Sequence, residues 1–172
     1  IELGTAVIAT WLRHPLMLAA QALTVSDMAQ GRLALGIGLA HKAPIEERLR
    51  IPFAHPAQHM EEYLAVLLPA LGDRAVDATG EIWSGFAEAV GGPPDVPPPP
   101  VLLAAMGPRM LALAGGTADG NILWLSGPRT IEMPAATITK SRKREAPENN
   151  NGRRVRTSAA TSMGTGVAVG VG

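Results

Sequence analysis

Apolar residues along this 172-residue chain fall into short unbroken runs that alternate with longer stretches spaced by three or four. Residues 1–9 (IELGTAVIA) do not alternate with polar ones, which predicts a strand buried on both faces. Pro15 is placed to open a helix, where its missing N–H costs nothing. That helix runs through LMLAAQALTVSDMAQ and stops at Gly31, read as the glycine just past its end. Residues 32–39 (RLALGIGL) predict a second buried strand. Pro56 opens the next helix, with Tyr63, Leu64, Leu67, Leu68 and Leu71 on its apolar face, Pro69 near its end and Gly72 closing it. Residues 75–83 (AVDATGEIW) predict a small hairpin turning near Thr79-Gly80. Prolines hold residues 91–100 (GGPPDVPPPP) extended, a stiff connector rather than a ligand for a proline-recognising domain. A strand over 101–106 then leads to Gly107-Pro108 and a helix (RMLALAGG), and a strand over 121–126 leads to Gly127-Pro128 and another helix. Buried strands alternating with helices predict right-handed βαβ units on a parallel sheet, an α/β fold. Periodicity alone leaves open whether that sheet is flat or closed into a barrel.

Composition narrows the class. The chain is 47% hydrophobic and 17% charged, enough apolar surface for one domain with a real core rather than a disordered segment. It has no cysteine, which excludes disulfides and thiolate metal sites. No apolar run reaches the roughly 18–20 residues of a membrane-spanning helix, and no basic segment precedes a short apolar one as in a secretory signal. A cytoplasmic protein is expected, with no membrane partner. The first residue is Ile1, so a natural start further upstream is expected. The net charge of zero hides an asymmetry: residues 1–139 hold 8 Lys/Arg against 13 Asp/Glu, and residues 140–172 hold 7 against 2.

Several segments could carry chemistry. Gly36, Gly38 and His41 in GIGLAH imitate a dinucleotide-binding fingerprint, but His41 stands where a third glycine is required. The glycines fit better as a strand end closely approached by a flat ligand or another stretch of backbone. His41 follows the end of a parallel strand, the edge where α/β proteins bind ligands, and imidazole can give or take a proton there. His55, His59 and Glu62 could share a helical face, yet the spacing is not that of a helical zinc motif and Pro56 puts His55 at the cap. A solvated first turn is the plainer reading. The Gly107-Pro108 and Gly127-Pro128 helix starts could hold a phosphate on free N–H groups, with Arg109 and Arg129 adding charge, or could be simple strand-to-helix turns. Trp11 and Trp124 could flank a planar ring or belong to the core. No nucleophile elbow or phosphate-binding loop motif is present.

Three stretches, LGTAVIATWLRHPLMLAAQALTVSDMAQGRLALGIGLAHK, PAQHMEEYLAVLLPAL and PPVLLAAMGPRMLALAGGTADGNILWLSGPRTIE, together resemble the luciferase-like monooxygenase family, in particular its coenzyme F-420 (deazaflavin)-dependent oxidoreductases. The resemblance covers residues 1–139. It implies a TIM barrel with the cofactor at the C-terminal ends of the strands, of which this chain would supply the third to sixth. Gly4, Thr5 and Ala6 match the third-strand segment, where many members carry a non-proline cis peptide in a bulge behind the deazaflavin ring. Gly38 lies at the glycine-rich strand end that faces the ring, and His41 matches a polar position near its reacting face. Ala105, Gly107, Pro108 and Met110 match the segment whose backbone N–H groups hold the cofactor's phosphate or side chain. Pro44 stands where relatives often carry a further polar residue. The implied reaction is hydride transfer between the deazaflavin and a small organic substrate, with His41 as proton donor or acceptor. An FMN-dependent monooxygenase of the same fold is the alternative, and a non-catalytic barrel fragment a third.

After residue 139 the family pattern stops. Residues 140–172 turn basic, then glycine-rich, without apolar periodicity. This favours a shifted reading frame over a natural flexible tail, and without aromatics to stack bases the basic cluster is not read as binding nucleic acid. A barrel lacking strands exposes sheet edges, so the expectation is a weakly stable, inactive polypeptide on its own and, for a complete member, a homodimer at most.

Overall fold

The computed structural model describes residues 1–124. The Gly127-Pro128 turn, Arg129 and the 140–172 segment lie outside the described residues. In chain order the elements are β1 (Leu3–Gly4), β2 (Ile8–Ala9), a 3-10 turn (Thr10–Leu12), α1 (Pro15–Met28), β3 (Leu33–Gly38), a π-helical turn (Pro44–Arg48), α2 (Pro56–Gly72), β4 (Val76–Ala78), β5 (Gly85–Ala87), β6 (Val101–Ala104), α3 (Pro108–Thr117) and β7 (Gly120–Ile122). Strands β1 and β2 both pair with β3, β3 with β6 and β6 with β7, all parallel. This is the consecutive βα arrangement of part of a TIM barrel.

The first predicted strand is one strand broken in two. Gly4 pairs with Ala34 and Ile8 with Ile37, so four steps on one side face three on the other. The extra residue makes a bulge, and the Ala6–Val7 peptide inside it is cis, in the segment where the resemblance implies one. Thr5 repairs the ladder there: its hydroxyl donates to Gly36 O and accepts from Gly36 N–H, each at 2.8 Å. A Cβ at Gly36 would fall onto the Thr5 carbonyl oxygen. Close approach of another backbone is therefore the reason for this glycine.

Helix α1 starts as expected at Pro15, capped by His14, whose Nδ1 accepts from Leu16 N–H at 3.2 Å. Its end differs by one residue. Gln30 takes the left-handed position just past the end and donates to Asp27 O, while Gly31 donates to Ser26 O, a Schellman motif in which glycine is the second residue out. The core lies between sheet and helices: Leu18 and Leu23 of α1, Tyr63, Leu64 and Leu67 of α2, and Leu35, Ile37 and Leu103 of the strands are all buried. Leu68, predicted for the same face of α2, is half-buried at its edge.

The hairpin also departs from expectation. Its strands are β4 and β5, with Ala78 opposite Gly85, so the return strand begins after Trp83 rather than ending there. The N–H groups of Ile82 and Trp83 go instead to the Glu62 carboxylate, at 2.7 and 2.9 Å. The proline-rich connector is held extended by Arg74, which donates to the carbonyls of Pro93 and Val96, both at 3.0 Å.

Candidate functional site

A cavity of about 300 Å3 opens where the strands end. The bulge supplies Ala6 and Val7, the chain leaving β3 supplies Leu39, Ala40 and His41, the end of β6 supplies Ala104, Ala105 and Met106, α3 supplies Met110, and β7 with its continuation supplies Ile122 and Trp124. Four of these eleven residues are alanine, so the walls are small and apolar, with His41 and the Trp124 indole as the polar-tipped groups. A larger hollow, about 740 Å3, lies between α2 and α3 away from the strand ends.

Of the predicted site residues, the cavity brings together Ala6, His41, Ala105 and Met110. Thr5 and Gly38 lie beside it in the sheet. A Cβ on Gly38 would sit 2.9 Å from both the Ala104 and Val7 side chains, so this glycine lets β3, β6 and the bulge close up at the cavity's base. Gly4 pairs with Ala34, four residues before the end of β3 and about 13 Å from the mouth. Gly107 and Pro108 form the start of α3, with open space before Gly107.

The expected backbone donors are reduced in number. Pro108 has no N–H. Ala105 N–H is taken by the Asn121 Oδ1, and Asn121 Nδ2 returns a bond to Ala105 O, each at 3.1 Å. Leu111 N–H closes the first turn onto Gly107 O, which leaves the N–H groups of Arg109 and Met110 at the open end of the helix. The Arg109 guanidinium turns outward to Glu61 at 3.7 Å, so it adds no charge at the cavity.

The helical histidines separate. His55, left-handed at the start of α2, is exposed, whereas His59 is fully buried. Trp83 Nε1–H donates to His59 Nδ1 at 3.1 Å, so the proton sits on Nε2, which reaches Thr10 Oγ1 at 2.9 Å. The Thr10 hydroxyl in turn donates to Gly38 O at 3.4 Å. Trp11 stacks on the same imidazole, with ring centres 3.7 Å apart, and touches Phe53. Burial lowers the His59 pKa to about 4 against the opposing pull of Glu62. The Glu62 carboxylate is held at about 2, first by the Trp83 N–H and then by Gln58 and neighbouring backbone donors, with desolvation opposing. The expected solvated turn is thus a closed structural network, and no cluster of metal-ligating residues exists among the described residues. Trp11 belongs to that network, while Trp124 lines the cavity.

Sequence reasoning missed Val7, Leu39, Ala40, Ala104, Met106 and Ile122 as lining. For all but Ile122 the signal was available, since they lie at or near the end of a predicted parallel strand, the edge where such folds bind ligands. Ile122 was expected near the start of a strand over 121–126 and ends β7 instead.

Parallel βα units with a ligand-sized cavity at the strand ends define part of a barrel of the kind that holds a cofactor at its C-terminal face. The chain belongs to the luciferase-like monooxygenase family, which it matches over residues 1–165, past residue 139 where the resemblance was expected to stop. It is similar to a 5,10-methylenetetrahydromethanopterin reductase of Archaeoglobus fulgidus, with 30% identity over 138 residues, 80% of this chain and 41% of that protein. It also resembles the solved coenzyme F-420-dependent tetrahydromethanopterin reductase of Methanopyrus kandleri, with TM-score 0.72 and 26% identity, covering 84% of this chain and 46% of that one. An FMN-bound 3,6-diketocamphane monooxygenase from Pseudomonas putida shares the fold at TM-score 0.69 and 16% identity, covering 85% and 44%. The chain spans less than half the length of each of these relatives. No helix among the described residues is long and apolar enough to cross a membrane.

Proposed function

We propose that the cavity receives the ring of a deazaflavin of the coenzyme F-420 type, and that the protein serves hydride transfer between that cofactor and a small organic substrate. The observation that carries this reading is the meeting of Ala6, His41, Ala105 and Met110 around one cavity at the strand ends. The residues suit a planar ring: four alanines offer little obstruction, and apolar walls keep water from its face. The cofactor, when bound, supplies the hydride chemistry; the chain supplies position and surroundings. Met110 and its N–H, with that of Arg109, would hold the chain that hangs from the ring. His41, exposed at the mouth, would give or accept the proton that accompanies the hydride.

Support for deazaflavin over FMN comes from the reductases, one of them F-420-dependent, at 30% and 26% identity. The FMN enzyme, at 16%, speaks for the fold alone. The test is a fluorescence titration with oxidised coenzyme F-420 and, in parallel, with FMN. Saturable F-420 binding is expected, weakened about tenfold by Trp124→Ala through loss of a ring contact. Binding of FMN without F-420 would replace this reading with the monooxygenase one, and binding of neither would leave a non-catalytic fragment.

A further inference from the structure

Among the described residues, five other than glycine have a left-handed backbone: Gln30, Ala40, Arg50, His55 and Arg74. Gln30, Arg50 and Arg74 each stand one residue past the cap of a helix, and His55 is itself the cap that opens α2. Helix ends commonly use this conformation. Ala40, at φ 58°, also precedes a helical turn, which begins at Lys42, but among the five it lies on the cavity wall, two residues past the end of β3. Its side chain is exposed, so no burial offsets the clash a Cβ meets in this region. An exposed backbone outlier on a cavity wall points to a role at the site.

The chain on either side is held. Upstream, Gly38 pairs with Ala9, and its carbonyl accepts from the buried Thr10 hydroxyl, which His59 orients. Downstream, Ile45 is 2% exposed and its N–H reaches His41 O at 3.4 Å. Between these anchors only Leu39 and Ala40 separate the sheet from His41. The left-handed residue is the corner that turns the chain out of β3 there.

We infer that Ala40 is a positioning residue, its left-handed corner fixing His41 at the mouth of the cavity. This rests on the reading of that cavity as the ring site. Alanine, unlike glycine, has few conformations to choose from, so the corner keeps one geometry and the histidine one place.

The test compares Ala40→Gly and Ala40→Asn with the parent chain. Glycine adopts φ 58° without strain but also much else, so Ala40→Gly is expected to raise the urea midpoint while weakening coenzyme F-420 binding about fivefold. The His41 imidazole signal, assigned by its disappearance in His41→Gln, should move towards the position of a free histidine. Asparagine tolerates the left-handed region, and Ala40→Asn should keep the parent's His41 signal, whatever its larger side chain does to affinity. A purely structural residue would move stability and affinity in the same direction. A lower urea midpoint in Ala40→Gly would overturn the inference, as would an unchanged His41 signal with unchanged affinity. If the parent binds neither coenzyme F-420 nor FMN while the His41 signal still shifts in Ala40→Gly, the corner stands and the proposed function falls.

Discussion

His59 and His41 each have tryptophan company, and their surroundings could hardly differ more. His59 is sealed inside, with one ring nitrogen on Trp83, the other on Thr10, and Trp11 across its face. His41 stands exposed at the rim of the cavity that Trp124 also lines. A group whose bonding capacity is filled by its own chain has nothing left for a ligand. Its contribution is to hold α2, the hairpin and the end of β2 together. A rim histidine contributes little to folding and keeps its nitrogens available. Burial and satisfaction, rather than residue type, separate structure from chemistry here.

That contrast is broken most directly at His59. Replacing it with alanine opens a hole against the Trp11, Tyr63 and Trp83 rings and strands the Trp83 indole N–H, together costing about 3 kcal/mol. Urea unfolding followed by tryptophan fluorescence measures this. A loss below about 1 kcal/mol would mean the network is not what holds these elements together.

Acid sharpens the same contrast. The His59 pKa is lowered in the fold, so the unfolded chain takes up its proton first, and stability falls as pH drops from about 6.5 towards 4. Glu62 is also lowered, so its stabilisation, complete above the ordinary carboxylate range, is lost as pH falls from about 4.5 towards 2. The urea midpoint is therefore expected to decline in two stages on acidification. Glu62→Gln should flatten the second stage and carry the first to lower pH, because the charge that opposes the His59 shift is removed. A midpoint that is constant between pH 6.5 and 4 would show that His59 is not held neutral by burial.

The order of elements was legible because parallel strands buried on both faces leave continuous apolar runs, and Pro15, Pro56 and Pro108 mark helix starts. The site was legible as a neighbourhood, since residues after a parallel strand converge on one edge, which put His41 within reach; Ala6, Ala105 and Met110 came from the family resemblance. What escaped were side-chain substitutes for backbone bonds. Nothing in the pattern says that Glu62 will take the N–H groups of Ile82 and Trp83 and push the return strand to Gly85, or that Asn121 will occupy Ala105. Those pairings join residues 16 to 21 apart, and only the assembled fold brings them together. His59 misled for the same reason: beside His55 and Pro56 it reads as part of a solvated first turn, while its partners Thr10 and Trp83 lie 49 and 24 residues away.

The smallest expected effect tests which side of α3 faces the chemistry. Arg109 follows Gly107-Pro108 and was a natural candidate for a phosphate, but its guanidinium reaches Glu61 across the outer groove with both side chains largely exposed. Exposed ion pairs contribute little because water screens them and long side chains resist being fixed. Arg109→Ala is therefore expected to change stability by no more than about 0.5 kcal/mol and to leave coenzyme F-420 affinity unaltered, since the backbone N–H groups at the helix start survive the substitution. The decisive measurement is that affinity at low and at moderate salt. A loss that appears at low salt and fades as salt is added would mean the guanidinium swings inward to a bound phosphate, and the outward geometry would then describe only the ligand-free side of the comparison.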